Sequence, residues 1–180
     1  MTPVLNFNDT PGTLTDAATL RMQRRLPGTP DRVWAWLTQG ELRRQWLAAG
    51  EMDLTPGASF ELVWRNDELS ASPDERPAGF GAESRATCQI LEVDPPHRLR
   101  YSWPGVGEVT FQLEAAGEEV LLTLTHRQLA GETLVLNVCA GWHAHIARLV
   151  ALVEGTPPPS LWRTWKALRE DYAARLRVTA

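Results

Sequence analysis

Residues 137–155 read NVCAGWHAHIARLVALVEG, and the fold turns on how that run is taken. At roughly 100° per residue, Val135, Val138, Cys139, Trp142, Ile146, Leu149 and Val153 fall in one stripe, so the spacing predicts an amphipathic helix from about residue 132 to 154. Gly155 suits the left-handed residue that ends a helix, and the prolines at 157–159 forbid continuation. A helix this long with one apolar side needs a large apolar surface to lie on.

The preceding residues supply it. In TLRMQRRL (19–26), Leu20, Met22 and Leu26 alternate with polar residues in the period of a half-buried strand, and Arg24 shares the apolar face. Four more strand-like segments, at 82–93, 97–103, 108–114 and 119–127, are separated by turn signals at Pro95-Pro96, Pro104-Gly105 and Ala116-Gly117. In the last of them His126 follows Val120, Leu122 and Leu124 at even spacing, which puts it on the apolar face. Between these blocks, GTPDRVWAWLTQGELRRQWL (28–47) changes to a helical period with Val33, Trp34, Leu37, Leu42 and Trp46. It predicts two short helices split at Gly40, the first with Thr29 as N-cap and Pro30 at its first position.

The segment EMDLTPGASFELVWRN (51–66) predicts a hairpin turned at Pro56-Gly57, with Phe60, Leu62 and Trp64 on one face. Residues 66–81, NDELSASPDERPAGFG, read as a long solvated loop too polar to pack on itself, with Phe80 its only aromatic. Residues 1–14 are turn-rich and are expected to form a loosely ordered, flexible arm. After the prolines, Ser160 is the expected N-cap of a final helix at about 160–176 carrying Leu161, Trp165, Leu168, Tyr172 and Leu176 on one side. The predicted class is therefore α+β: a single domain over 15–180 whose curved antiparallel sheet wraps around the long helix, with two short helices after the first strand and an extra C-terminal helix.

Composition narrows the function. Eighteen basic and 22 acidic residues are interspersed and give a net charge of −4, so there is no basic stripe for a phosphate backbone and nucleic acid is not an expected partner. No leader-like segment opens the chain and no run reads as a membrane span, so the expectation is a cytoplasmic protein without a membrane partner. Cys88 and Cys139 lack metal-ligand or disulfide spacing and read as buried apolar residues. Eight tryptophans against two tyrosines and four phenylalanines are the anomaly, because large rings with one polar atom suit a half-wet interior as well as a core.

The motifs TPDRVWAWLTQGELRRQWL, LTPGASFELVW, ILEVDPPHRLRYSW and GWHAHIARLVALVEG, in that order, resemble the START-like, helix-grip superfamily called SRPBCC. The chain is most similar to the branch named after the activator of the heat-shock-protein ATPase, over roughly residues 15–175. The matching pieces are Val33-Trp34, Trp46, Pro56-Gly57 and Gly141-Trp142, while the 66–81 loop and the arm before residue 15 depart from the pattern. The resemblance implies the helix-grip fold and, from the branch name, a link to stress response. The wider superfamily includes lipid and hormone binders, polyketide cyclases and self-sacrificing resistance proteins.

Three functions stay open on this reading. The first is a small, mostly apolar or aromatic ligand held between sheet and long helix, with no assigned reaction and no cofactor. Its expected ligand residues are Arg24, Trp34, Phe60, Trp64, Trp103, His126, Trp142, His145, Ile146 and Leu149, with Arg24, His126 and His145 orienting the polar end. The second is a module acting on a chaperone or regulator through its surface, and a homodimer through the last helix or a sheet edge is equally open. The third is a cyclase- or hydrolase-like enzyme with His126 or His145 as acid or base and Arg24 stabilising negative charge. His143 and His145 lie about 200° apart on a helix and cannot clasp one metal ion, and His143 is expected to cap an edge or meet solvent.

Overall fold

The computed structural model describes residues 6–178. Its long helix, α3, runs Glu132–Glu154 and stops at Gly155, whose φ of 75° is the left-handed conformation that glycine adopts without steric cost. Ile146 and Leu149 are fully buried, as the apolar stripe demands. By length and composition α3 could cross a membrane, but 72% of its most apolar window is buried inside the protein, so it is the core helix of the fold.

The apolar surface under α3 is a sheet that has seven antiparallel strands among the described residues, in the order β1-β2-β7-β6-β5-β4-β3. Those strands are β1 (Thr13–Asp16), β2 (Thr19–Pro27), β3 (Ser59–Trp64), β4 (Ser84–Asp94), β5 (Arg98–Trp103), β6 (Gly107–Ala116) and β7 (Glu119–Arg127). The chain pairs β2 with β7, Leu20 opposite His126 and Leu26 opposite Val120, so strands far apart in sequence meet side by side. Alternation then does the sorting: Leu20, Met22, Arg24 and Leu26 point inward with Val120, Leu122, Leu124 and His126, and all are buried. Two short helices, α1 (Pro30–Thr38) and α2 (Gly40–Arg43), follow β2, and Thr29 caps the first by accepting a hydrogen bond from the Arg32 amide. α4 (Leu161–Val178) packs against α3.

Four expectations need correction. Residues 51–58 form no partner strand for β3. An isolated bridge between Ala49 and Val63 lies on β3's outer edge instead, and Val63 is buried. The arm expected to be loose over 1–14 is tied down over its described part. β1 pairs with β2, Asn8 exchanges two hydrogen bonds with the Arg25 backbone, and the Gly12 amide donates to the Tyr172 hydroxyl at 2.7 Å; residues 1–5 lie outside the described residues. His143 is buried under α4, with its Nδ1 2.9 Å from the Tyr172 hydroxyl, because α4 covers the side of α3 that looks solvent-facing when α3 is considered alone.

The fourth is the 66–81 loop, which packs on α4. Asp67 accepts from the Trp162 indole at 2.8 Å, Ser70 Oγ accepts from the Trp162 backbone amide at 3.0 Å, and Glu75 accepts from the Ser160 hydroxyl and from Arg163. The loop's acidity complements the positive end of a helix dipole and the amides left unpaired there. Ser160 stands where an N-cap belongs, but its hydroxyl serves Ala71 N and Glu75 while Ser70 supplies the cap from across the fold.

Candidate functional site

Most of the space between sheet and α3 is filled by side chains. Trp46 meets Phe111 edge-on, Phe60 meets Tyr101 the same way, and Phe111 meets Trp142. An apolar open volume of about 270 Å³ lies at the end of the sheet where β3 and β5 finish, walled by the N-terminal half of α3, the start of α4 and the loop before β4. Five of the eight tryptophans line it: Trp64, Trp103, Trp142, Trp162 and Trp165.

Each ring is placed by a separate constraint. Trp64 and Trp103, from the ends of β3 and β5, stack with centroids 4.9 Å apart and planes 15° apart. Trp142 donates its indole N–H to His126 Nδ1 at 2.9 Å, and His126 Nε2 lies 3.0 Å from the Val106 carbonyl. An indole nitrogen only donates and a carbonyl only accepts, so Nδ1 carries the lone pair and Nε2 the proton. Burial pushes the His126 pKa down to about 4, opposed by the Val106 hydrogen bond, which keeps this neutral tautomer. The Trp165 indole donates to the Asn137 carbonyl at 3.2 Å. Phe80 stands against both α4 tryptophans, with centroids 5.3 Å from Trp162 and 5.0 Å from Trp165, and is 39% exposed.

The helical floor of the cavity is formed by one face of α3, with Asn137, Gly141 and His145 at successive i, i+4 positions. A glycine inside a helix costs about 1 kcal/mol relative to alanine. Packing does not demand Gly141, since an added Cβ would meet only Trp165 Nε1, at the ordinary contact distance of 3.9 Å. What the missing side chain preserves is open volume.

His145 is anchored by its Nδ1, 2.7 Å from the Trp46 carbonyl, so that nitrogen carries the proton and Nε2 the lone pair. Burial, and secondarily the nearby Arg148 charge, push its pKa down to about 4 against the pull of the Trp46 carbonyl. Asn66, another wall residue, has its side-chain oxygen buried without a partner. No Arg or Lys is among the lining residues. Among the described residues no three His, Cys, Asp or Glu side chains converge as metal ligands would.

Of the ten ligand residues expected from the sequence, Trp64, Trp103, Trp142 and His145 line the cavity. Phe60, Ile146 and Leu149 are core. Trp34 is half-buried on α1, away from the opening. His126 stands one layer behind, with its ring nitrogens engaged by the Val106 carbonyl and the Trp142 indole. Arg24 lies on the inner face of β2, Nη1 donating to the Gln23 carbonyl at 2.7 Å, and it does not line this cavity. Trp162, Trp165, Phe80 and Gly141 were missed. The available signals were a lone aromatic in a polar loop and a mid-helix glycine beside Trp142.

A curved antiparallel sheet gripping a long helix is the START-like helix-grip fold. The chain belongs to the family of Activator of Hsp90 ATPase homolog 1-like proteins, whose model matches residues 27–154. A protein from Bordetella parapertussis with a solution NMR structure is 39% identical over 97% of this chain and 95% of its own, with a TM-score of 0.78. The crystal structure of CalU16 from Micromonospora echinospora is 26% identical over 87% of this chain and 86% of its own, with a TM-score of 0.64. A conserved protein of unknown function from Enterococcus faecalis, 18% identical, shares the fold with a TM-score of 0.68 over 92% of this chain and 89% of its own. No curated protein matches the chain.

Proposed function

We propose that the protein binds a small, flat, largely apolar molecule in the cavity between α3, α4 and the ends of β3 and β5. The observation that carries this reading is the cavity itself: about 270 Å³ of open volume lined by five tryptophans. An apolar cavity of about 150 Å³ accepts one benzene ring, so this one suits a molecule of roughly two fused rings. Aromatic walls give such a ligand large contact area and favourable ring geometry. Gly141 supports the same reading, because a residue that costs helix stability and leaves space beside a cavity is understandable if the space is used.

The test is a titration of the purified protein with a neutral bicyclic aromatic probe, 2-acetylnaphthalene, followed by tryptophan fluorescence. The expected result is saturable quenching, since most of the tryptophans face the site. In Gly141→Leu, whose side chain would fill the floor, quenching should be lost while circular dichroism stays native. Absence of saturable binding by the native protein, or undiminished binding by a folded Gly141→Leu, would sink the proposal.

A further inference from the structure

The cavity's walls are aromatic, but its polar atoms are not arranged at random. His145 spends its ring proton on the Trp46 carbonyl at 2.7 Å, which leaves Nε2 as an acceptor to which no described residue hydrogen-bonds. Asn66, in the same wall, has an unpaired side-chain oxygen, but that atom has no accessible surface and does not face the open volume. Asn137 contributes less, because its side-chain oxygen is already taken by Arg169 Nε at 2.8 Å. Of the five lining tryptophans, three, Trp142, Trp162 and Trp165, spend their indole N–H groups on His126, Asp67 and Asn137. No cationic side chain lines the space, so an anionic ligand would lose its hydration without finding a counter-charge.

We infer that the cavity selects an uncharged flat aromatic carrying a hydrogen-bond donor, a phenol or enol hydroxyl or an aromatic N–H, which lies across Gly141 and donates to His145 Nε2. The geometry of α3 sets this arrangement. Gly141 and His145 are four residues apart, roughly 6 Å along the helix axis, so a ring resting on the bare backbone at 141 brings its substituent to the imidazole one turn on. A buried acceptor built to take a donor discriminates strongly against the analogue lacking one, because the acceptor is then left unpaired. The inference rests on the reading of this cavity as a ligand site and adds the chemical class of the ligand.

The experiment compares three probes by calorimetry at neutral pH: 2-naphthol, 2-methoxynaphthalene, which has the same rings but no donor, and 2-naphthoate, which is anionic. The native protein should bind 2-naphthol about tenfold or more tighter than either of the others. In His145→Asn the amide nitrogen can still donate to the Trp46 carbonyl while the Nε2 acceptor is gone, so the advantage of 2-naphthol over 2-methoxynaphthalene should shrink to within about twofold. Equal or tighter binding of 2-methoxynaphthalene or 2-naphthoate by the native protein would overturn the inference while leaving the ligand site standing. So would a naphthol preference that survives in His145→Asn. If His145→Asn fails to fold, the native protein's ranking of the three probes decides alone. Failure of all three probes, with 2-acetylnaphthalene failing as well, would remove both the inference and the reading beneath it.

Discussion

Arg24 is 1% exposed, and its Nε and Nη2 have no hydrogen-bond partner. Burial lowers its pKa first of all, and the nearby Tyr172 and Asp9 pull the other way. A guanidinium in that position is a cost to the fold, since a buried cation with unmatched donors is replaced by an apolar side chain of similar length without loss. Arg24→Met should therefore leave the protein as stable or more stable by ~1–3 kcal/mol, read from the urea midpoint. A clear loss of stability in that variant would show that the guanidinium contributes something its single hydrogen bond does not. Sequence alternation placed both Arg24 and His126 on the inner face, and that placement is right. It could not tell that His126 meets Trp142 at 2.9 Å while Arg24 is not among the cavity's lining residues, because period-2 patterning gives the face and not the position along the sheet.

Among the elements, α3 was readable almost to the residue, from Glu132 to the Gly155 stop, because a long amphipathic stripe with a glycine and prolines after it has few alternatives. The 66–81 segment was not. Its composition describes a solvated loop, and its order comes from acceptors that only matter once α4 is beside them: Asp67, Ser70 and Glu75 on Trp162, Ser160 and Arg163. The Ser160 hydroxyl, first among several contacts, holds the Glu75 carboxyl below its ordinary pKa, so this clasp is in place at neutral pH. Ser70→Ala removes the helix cap that the loop lends to α4 and should cost about 1 kcal/mol. Hydrogen exchange should quicken at residues 66–81 and 161–165 and stay unchanged in β2, β6 and β7. Equal protection of loop and helix start in the variant would contradict a cap supplied in trans.

For the whole molecule, three histidines are folded away in their neutral form. Burial is the leading cause in each case, and it pushes His126, His143 and His145 down to about 4; at His143 the Arg24 charge adds to the push. The ordinary histidine pKa is about 6.5, so between roughly pH 6.5 and 4 the unfolded chain binds protons that the folded chain does not. The stability conferred by keeping these rings neutral is complete above that window and drains as the pH falls through it, at ~1.4 kcal/mol per pH unit for each fully neutral ring. The urea midpoint should drop between pH 7 and pH 5, before most carboxylates titrate. A midpoint that holds steady over those two units would show that the rings are not neutral and buried as described.

The sequence by itself determined the class of fold and the direction in which side chains point. Those depend on periodicity along one strand or one helix, and the hydrophobic effect enforces them locally wherever one face is covered. It also drew attention to the tryptophans and to Trp142 in particular. Only the tertiary structure decided where the empty space lies, because a cavity is the residue of packing among elements distant in the chain. Trp64, Trp103, Trp142, Trp162 and Phe80 come from five separate segments. The centre of the grip was filled by Trp46, Tyr101 and Phe111, and the opening moved to the end that α4 and its clasped loop close. Volume left over after close packing is set by the sum of all the side chains around it, and no single stretch of sequence carries that sum.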